Sequence, residues 1–135
     1  MPNPAHPAKP AASGLPAVDV VNDYLQGLPG GTRRLAHAEW GLTIAAETLG
    51  EPLDVGVSIS DGLLRVKAPA LGAGHELDPW MLLWWNRQTR QVRFGSTRSR
   101  EIWVHADLPV SAVDEPALDR LLGLVVEAAV TVRGL

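Results

Sequence analysis

Two groups of residues in this sequence are equipped to recognise something. Arg87, Arg90, Arg93, Arg98 and Arg100 fall within 14 residues that contain no acid, in a chain whose formal net charge is −3. A guanidinium presents a planar fork of donors that suits carboxylates and phosphates and stacks on aromatic faces. Trp40, Trp80, Trp84, Trp85 and Trp103 are five indoles in a chain with one Tyr and one Phe. Tryptophan joins a large apolar surface to one N–H donor and is enriched where proteins touch partners. The arginines can be a solvated strand face and turn. They can pair with carboxylates of a partner or of the chain's own C-terminal helix. Beside tryptophan they can also stack single-stranded nucleic acid.

Catalytic chemistry has less to work with. The chain has no cysteine, which removes a thiol nucleophile, thiolate zinc sites and disulfides. No phosphate-binding loop or His-Glu-x-x-His motif occurs. Gly72-Ala73-Gly74 lacks the third glycine of a dinucleotide fingerprint and is followed by acid and proline rather than a long helix. His37, His75 and His105 stand apart in the sequence, so a metal or acid–base site needs long-range assembly. The serines lie in turns or on strand exteriors. The chain is therefore expected to be no enzyme, with no cofactor and no metal.

The elements that must position these residues follow from periodicity. Residues 1–16, with five prolines, read as a disordered tail; 17–135 reads as a single domain. Val18, Val21, Leu25 and Leu28 recur at helical spacing, and Gly27 with Pro29 to Gly31 ends the helix. Arg33 to Ala38 reads as a further helical turn. Trp40 to Glu47 alternates as a strand with Trp40, Leu42, Ile44 and Ala46 inward, and Leu49 to Pro52 reads as a turn. Asp61-Gly62 is a two-residue hairpin turn. It pairs Ser60 with Leu63, Ile59 with Leu64, Val57 with Val66 and Val55 with Ala68, placing Arg65 and Lys67 on the outer face opposite Ser58 and Gly56. Residues 69–77 read as loop.

Asp78-Pro79 is a helix start, and the helix to about Gln88 is apolar nearly all round. Such a helix is expected to be buried on more than one side. One helix cannot turn three indoles into one small core, so one or two of Trp80, Trp84 and Trp85 are expected to meet a second subunit or a client. Gln91–Gly95 and Glu101–Asp107 read as strands, with Val92, Phe94, Ile102, Val104 and Ala106 inward and Arg93, Trp103 and His105 outward. Leu118, Leu121, Leu122, Val125, Val126 and Ala129 form the stripe of a last helix opened by Asp114, Glu115 and Pro116. The order α-β-β-β-α-β-β-α indicates an α+β fold: an antiparallel sheet of about five strands with helices covering one face. No apolar run reaches a membrane-spanning length and no secretory signal is visible, so a cytoplasmic protein without membrane contact is expected.

Several local features carry a resemblance. They are Leu63-Leu64-Arg65-Val66 after the Asp61-Gly62 turn, Leu82-Leu83-Trp84-Trp85-Asn86, Asp107-Leu108-Pro109 and Asp119-Arg120-Leu121-Leu122. With the element order, over residues 17–133, the chain resembles the YbjN-like family (bacterial sensory transduction regulators), whose fold is that of type III secretion chaperones. The Ala- and Gly-rich, Arg-over-Lys composition suits a high-GC bacterium, a deinococcal member among them. The resemblance implies a small homodimer that binds a client protein and supplies no catalytic residue; the secretion role does not transfer with the fold. Trp84, Trp85 and Trp103 are the expected hot spots, and Arg87, Arg90, Arg93, Arg98 and Arg100 are expected to set orientation and salt dependence. The competing reading is a nucleic-acid accessory protein using Arg93, Arg98, Arg100 and Trp103, or an adaptor whose client binds DNA.

Overall fold

A computed structural model describes residues 16–45 and 50–135. The tail expected over 1–16, apart from Pro16, and the expected positions of Ala46, Glu47 and Leu49 lie outside the described residues. The elements run α1 (Ala17–Gln26), β1 (Thr32–Ala36), β2 (Glu39–Ile44), β3 (Leu53–Ser60), β4 (Leu63–Leu71), α2 (Pro79–Asn86), β5 (Val92–Ser96), β6 (Ile102–Pro109), a 3₁₀ turn (Val110–Ala112) and α3 (Glu115–Arg133). Among the described residues six strands form one antiparallel sheet in the order β1-β2-β3-β4-β6-β5.

The sheet is organised around the β3–β4 hairpin. Asp61 and Gly62 hold φ of 53° and 76°, the left-handed pair that a two-residue turn needs to match strand twist. The register is Ser60↔Leu63, Ile59↔Leu64, Ser58↔Arg65 and Val57↔Val66. Alternation then puts Val55, Val57, Leu64, Val66 and Ala68 on the buried face. β6 continues the face, pairing Leu64 with Leu108, Val66 with Ala106 and Ala68 with Val104. β5 adds Val92 and Phe94, opposite Ala106 and Val104.

Helices close this face. Asp114 caps α3 by accepting from the Ala117 N–H at 2.8 Å, and Pro116 suits the first turn. Leu118, Leu121, Leu122, Val125, Ala128, Ala129 and Val132 are buried along α3. Each fully buried Leu or Val contributes roughly 1.5–3 kcal/mol. α1 buries Val21 and Leu25. Trp40, 1% exposed, reaches under it and donates its indole N–H to Asn22 Oδ1 at 3.0 Å. This is the core position its strand parity assigns. The opposite face of the sheet carries no helix among the described residues.

Three expectations are corrected. Residues 33–38 are not a helical turn: β1 and its turn into β2 occupy them, giving a sixth strand. Gly30 and Gly31, at φ of 92° and 80°, swing the chain back, and the Thr32 hydroxyl donates to the Leu25 carbonyl at 2.8 Å at the end of α1. The ladder to β2 then outweighs a weak helical propensity. β4 does not end at Ala68 but runs to Leu71, with a register shift between Pro69 and Leu71. A proline that cannot donate to the ladder is accommodated at such an irregularity. α2 ends at Asn86 rather than near Gln88.

Arg133 ties the end of α3 to the strands. Its Nε donates to the Ala70 carbonyl and its Nη1 to the Glu51 carbonyl, both at 2.7 Å. Bonds from a charged donor contribute about 1.5–3 kcal/mol when desolvated and less at the surface. Arg133→Met is expected to lower the unfolding free energy in urea by about 1–3 kcal/mol at unchanged m; a loss below about 0.5 kcal/mol contradicts this role.

Candidate functional site

α2 is where apolar sequence and exposed position conflict. Asp78 Oδ1 accepts from the Trp80 N–H at 2.9 Å and Pro79 fills the first helical position, so the helix starts where the sequence dictates. It packs on β5, at the edge of the sheet. Leu82 is buried, and Trp85 is half-buried with its ring centroid 5.9 Å from that of Phe94. Trp80, Leu83 and Trp84, spaced i, i+3 and i+4, are exposed by 76%, 55% and 55%. The expectation that this helix is buried on more than one side does not hold within the chain. One side of α2 meets β5, and among the described residues no element covers Trp80, Leu83 and Trp84 on the other. The result is an apolar ridge of two indoles and a leucine, which is an unusual surface for an isolated soluble domain.

The two edges of the sheet differ. At β5 the Asn86 side chain acts as a substitute strand. Its Nδ2 donates to the Phe94 carbonyl at 3.1 Å, and the Phe94 N–H donates to its Oδ1 at 2.8 Å. Thr89 Oγ1 donates to the Val92 carbonyl at 2.5 Å. Backbone groups that would otherwise invite another strand are satisfied, one way proteins protect an edge. At the other edge β1 is exposed from Arg33 to Ala36, and it pairs with β2 alone among the described strands.

The helix-free face of the sheet is polar and cationic. Arg93 Nη2 lies 2.9 Å from Asp107 Oδ2, and Arg65 Nε lies 4.0 Å from Asp107 Oδ1. The Lys67 ammonium sits 6.0 Å from the centre of the Trp103 ring, on which His105 stacks at 6.4 Å. The Trp103 indole N–H donates to Glu101 Oε1 at 3.1 Å. Partial burial, then Arg93 and Lys67, hold the His105 pKa below its ordinary value against the opposing pull of Asp107. On the helix side, burial and the carboxylate of Asp119, which accepts from the Tyr24 hydroxyl at 2.9 Å, push the Tyr24 pKa up to about 12.

The structure separates the residues that the sequence grouped. Trp84 and Trp85 sit together on α2. Trp103 projects from the opposite sheet face to Phe94, on which Trp85 packs. Arg87 follows the end of α2 and is exposed. Arg90 lines a cleft of about 380 Å³ with Trp85, Phe94, Leu124 and Glu127. Arg93 is on the helix-free face, and Arg98 and Arg100 are in the β5–β6 turn. Arg100 adopts φ of 72°. Its carbonyl accepts from His75 Nε2 at 2.7 Å while His75 Nδ1 accepts from the Leu77 N–H at 3.0 Å. The five arginines therefore form no single stripe. His37, His75 and His105 lie on three different segments, and no three His, Asp or Glu side chains converge to hold a metal among the described residues. Sequence reasoning missed Asn86 as an edge guard and Leu83 as part of the ridge. Helical spacing could have found Leu83, whereas Asn86 depends on where β5 comes to lie.

No family model matches the chain, and no curated protein sequence does. Solved structures do. The chain is similar to a chain of the HopA1–SchA chaperone–effector complex, at 15% identity and a TM-score of 0.72, covering 96% of this chain and 100% of that one. It is similar to a chain of the ExsC–ExsE complex at 15% identity and a TM-score of 0.64, covering 87% and 94%. It is also similar to a chain of the Yersinia pestis type III secretion chaperone SycH in complex with a fragment of YscM2. There the identity is 16% and the TM-score 0.64, covering 85% and 98%. The α+β fold is thus that of type III secretion chaperones, as the resemblance implied, with an antiparallel sheet of six strands rather than about five.

Asn86→Ala is expected to speed hydrogen exchange of the Phe94 amide by an order of magnitude or more and to lower stability by about 1–3 kcal/mol, the cost of buried backbone groups left unpaired. Unchanged Phe94 exchange contradicts the edge-guard role.

Proposed function

We propose that this chain is a non-enzymatic protein-binding adaptor or chaperone of the YbjN-like kind, a cytoplasmic homodimer that holds an extended segment of a client. The observation that carries the reading is the Trp80–Leu83–Trp84 ridge, exposed on a helix whose other side is fixed to the sheet. Its occupant in this reading is the α2 of a second copy. A two-fold contact uses the same patch twice, and a ridge of large apolar side chains on a short helix is complementary to itself. Covering it returns roughly 1.5–3 kcal/mol for each large side chain fully buried.

The client segment adds to the sheet at β1. Main-chain pairing needs an open edge, and Asn86 and Thr89 occupy that of β5. Trp84 and Trp85 belong to the dimer contact, Trp85 by supporting the ridge from below. Trp103 and Arg93 stand on the helix-free face near the opposite edge of the sheet from β1 and meet the client where it continues across that face, and Arg87, Arg90, Arg98 and Arg100 orient partners by charge. The fold likeness to chaperones solved with effectors or other partner proteins supports this reading without naming a client.

Sedimentation equilibrium tests it. The wild-type chain is expected at twice 14.5 kDa. Leu83→Glu with Trp84→Glu is expected to be a folded monomer with an unchanged circular-dichroism spectrum, because both side chains are exposed. A wild-type monomer at 100 µM, or a double variant that remains a dimer, overturns the dimer assignment.

A further inference from the structure

The helix-free face carries a row of residues that are direct cross-strand partners over the whole sheet: Arg33 on β1, Gly41 on β2, Gly56 on β3, Lys67 on β4, His105 on β6 and Arg93 on β5. Neighbouring strands lie about 4.8 Å apart, so the row spans about 24 Å. It contains three permanent cations and no acid. Its two glycines leave the middle without side chains. A trough of about 260 Å³ lies there, bordered by Arg33, Leu35, Lys67 and Trp103. Leu35 is 62% exposed and leans over Gly41. A second hollow of about 380 Å³ adjoins it at Lys67, lined by Ser58, Ser60, Arg65, Arg93, His105 and Asp107. Asp107 is already engaged by Arg93 and Arg65. In a chain of formal net charge −3, this concentration of exposed cations around a concave floor is a local inversion of sign.

We infer that this row binds an acidic segment of a protein partner, laid extended across the strands with its carboxylates on Lys67, Arg93 and Arg33. About seven extended residues cover the length. Charge complementarity sets the class of ligand, and three observations favour a peptide over nucleic acid. Both the Lys67 ammonium and the His105 imidazole lie against the Trp103 ring, and the indole N–H is tied to Glu101. The ring is therefore not an open platform for a base. Asp54 lines the trough, and Thr43 donates to it at 2.8 Å. Glu39 faces Ser58 across β2 and β3. With Asp107 and Glu101 these carboxylates interrupt any evenly charged phosphate track, whereas a peptide can place acids only where cations stand. The inference rests on the protein-binding reading and adds the chemistry of the partner. It does not use the α2 ridge, and from β1 it takes the Arg33 side chain rather than the main-chain edge, so its failure leaves the sedimentation test of the ridge standing.

The test is fluorescence anisotropy on the full chain with a fluorescein-labelled decapeptide alternating Glu and Ala, its Lys-for-Glu counterpart, and a 20-nucleotide oligothymidylate. The Glu peptide is expected to bind, to weaken between 50 and 200 mM salt, and to lose about tenfold in affinity with Lys67→Gln plus Arg93→Gln and about threefold with Lys67→Gln alone. Arg120→Gln, on α3, is expected to leave it unchanged. In the wild type, the Trp103 indole N–H resonance is expected to move on titration. Three results each overturn the inference: no binding of the Glu peptide at 1 mM, tighter binding of the oligothymidylate through the same side chains, or shifts confined to the α2 indoles.

Discussion

Two hydrogen bonds between one side chain and one residue's backbone govern much of what this surface can do. Asn86 meets both the N–H and the carbonyl of Phe94. In doing so it ends α2, fixes that helix on the last strand of the sheet and satisfies the edge that the strand would otherwise offer. The Trp85–Phe94 ring contact reinforces the anchor. With one side of α2 held this way, no other element among the described residues covers the opposite side, and Trp80, Leu83 and Trp84 are exposed there. The exposed ridge and the guarded edge are two consequences of the same anchor. β1, at the far end of the sheet, has no such guard on the described chain.

The sheet assigns the remaining roles by parity. Its buried face is nearly all Val, Leu, Ala and Phe, closed by α1 and α3. Its other face collects the long cations, because Arg65 and Lys67 on β4 and Arg93 on β5 take outward positions. Antiparallel register then lines up residues far apart in the sequence, from Arg33 to Arg93, in one row. Arginines that look continuous from 87 to 100 are instead divided among a helix end, a connection, a strand face and a turn. Adjacency on the sheet, rather than adjacency in the sequence, decides which charges act together.

This explains what was legible beforehand. The β3–β4 register was readable from the turn out to Val57 and Val66, because Asp61-Gly62 admits one turn and the alternation on both sides tolerates no slip, while the far end of β4 was not. The cap at Asp78 was readable because an acceptor directly before a proline marks a helix start, whereas Asp114 reads only as an acid at the positive end of α3 and the structure makes it the cap. β1 was not, since five residues with two arginines have no period of their own and owe their conformation to β2. The burial of α2 was misjudged for a related reason. Apolar content states what a helix would prefer to cover, while its place at the sheet edge states what it can cover within one chain. Arg65 and Lys67 were correctly placed on the outer face. That Asp107, His105 and Arg93 stand beside them required the β4–β6 and β5–β6 pairings, which no local pattern encodes. The nucleic-acid alternative drew on Trp103 as a stacking surface, and Lys67, His105 and Glu101 are the side chains around that ring.

The central claim is that the α2 ridge is completed by the same ridge of a second copy. The most direct measurement is site-specific photo-cross-linking with p-benzoylphenylalanine in place of Leu83 on the otherwise intact chain, with the linked peptides mapped by mass spectrometry. The account predicts a product at twice 14.5 kDa whose cross-links join position 83 to α2 of the other copy. Cross-links found only within one chain, or leading from position 83 to β1 or α3 of a second copy, would contradict it.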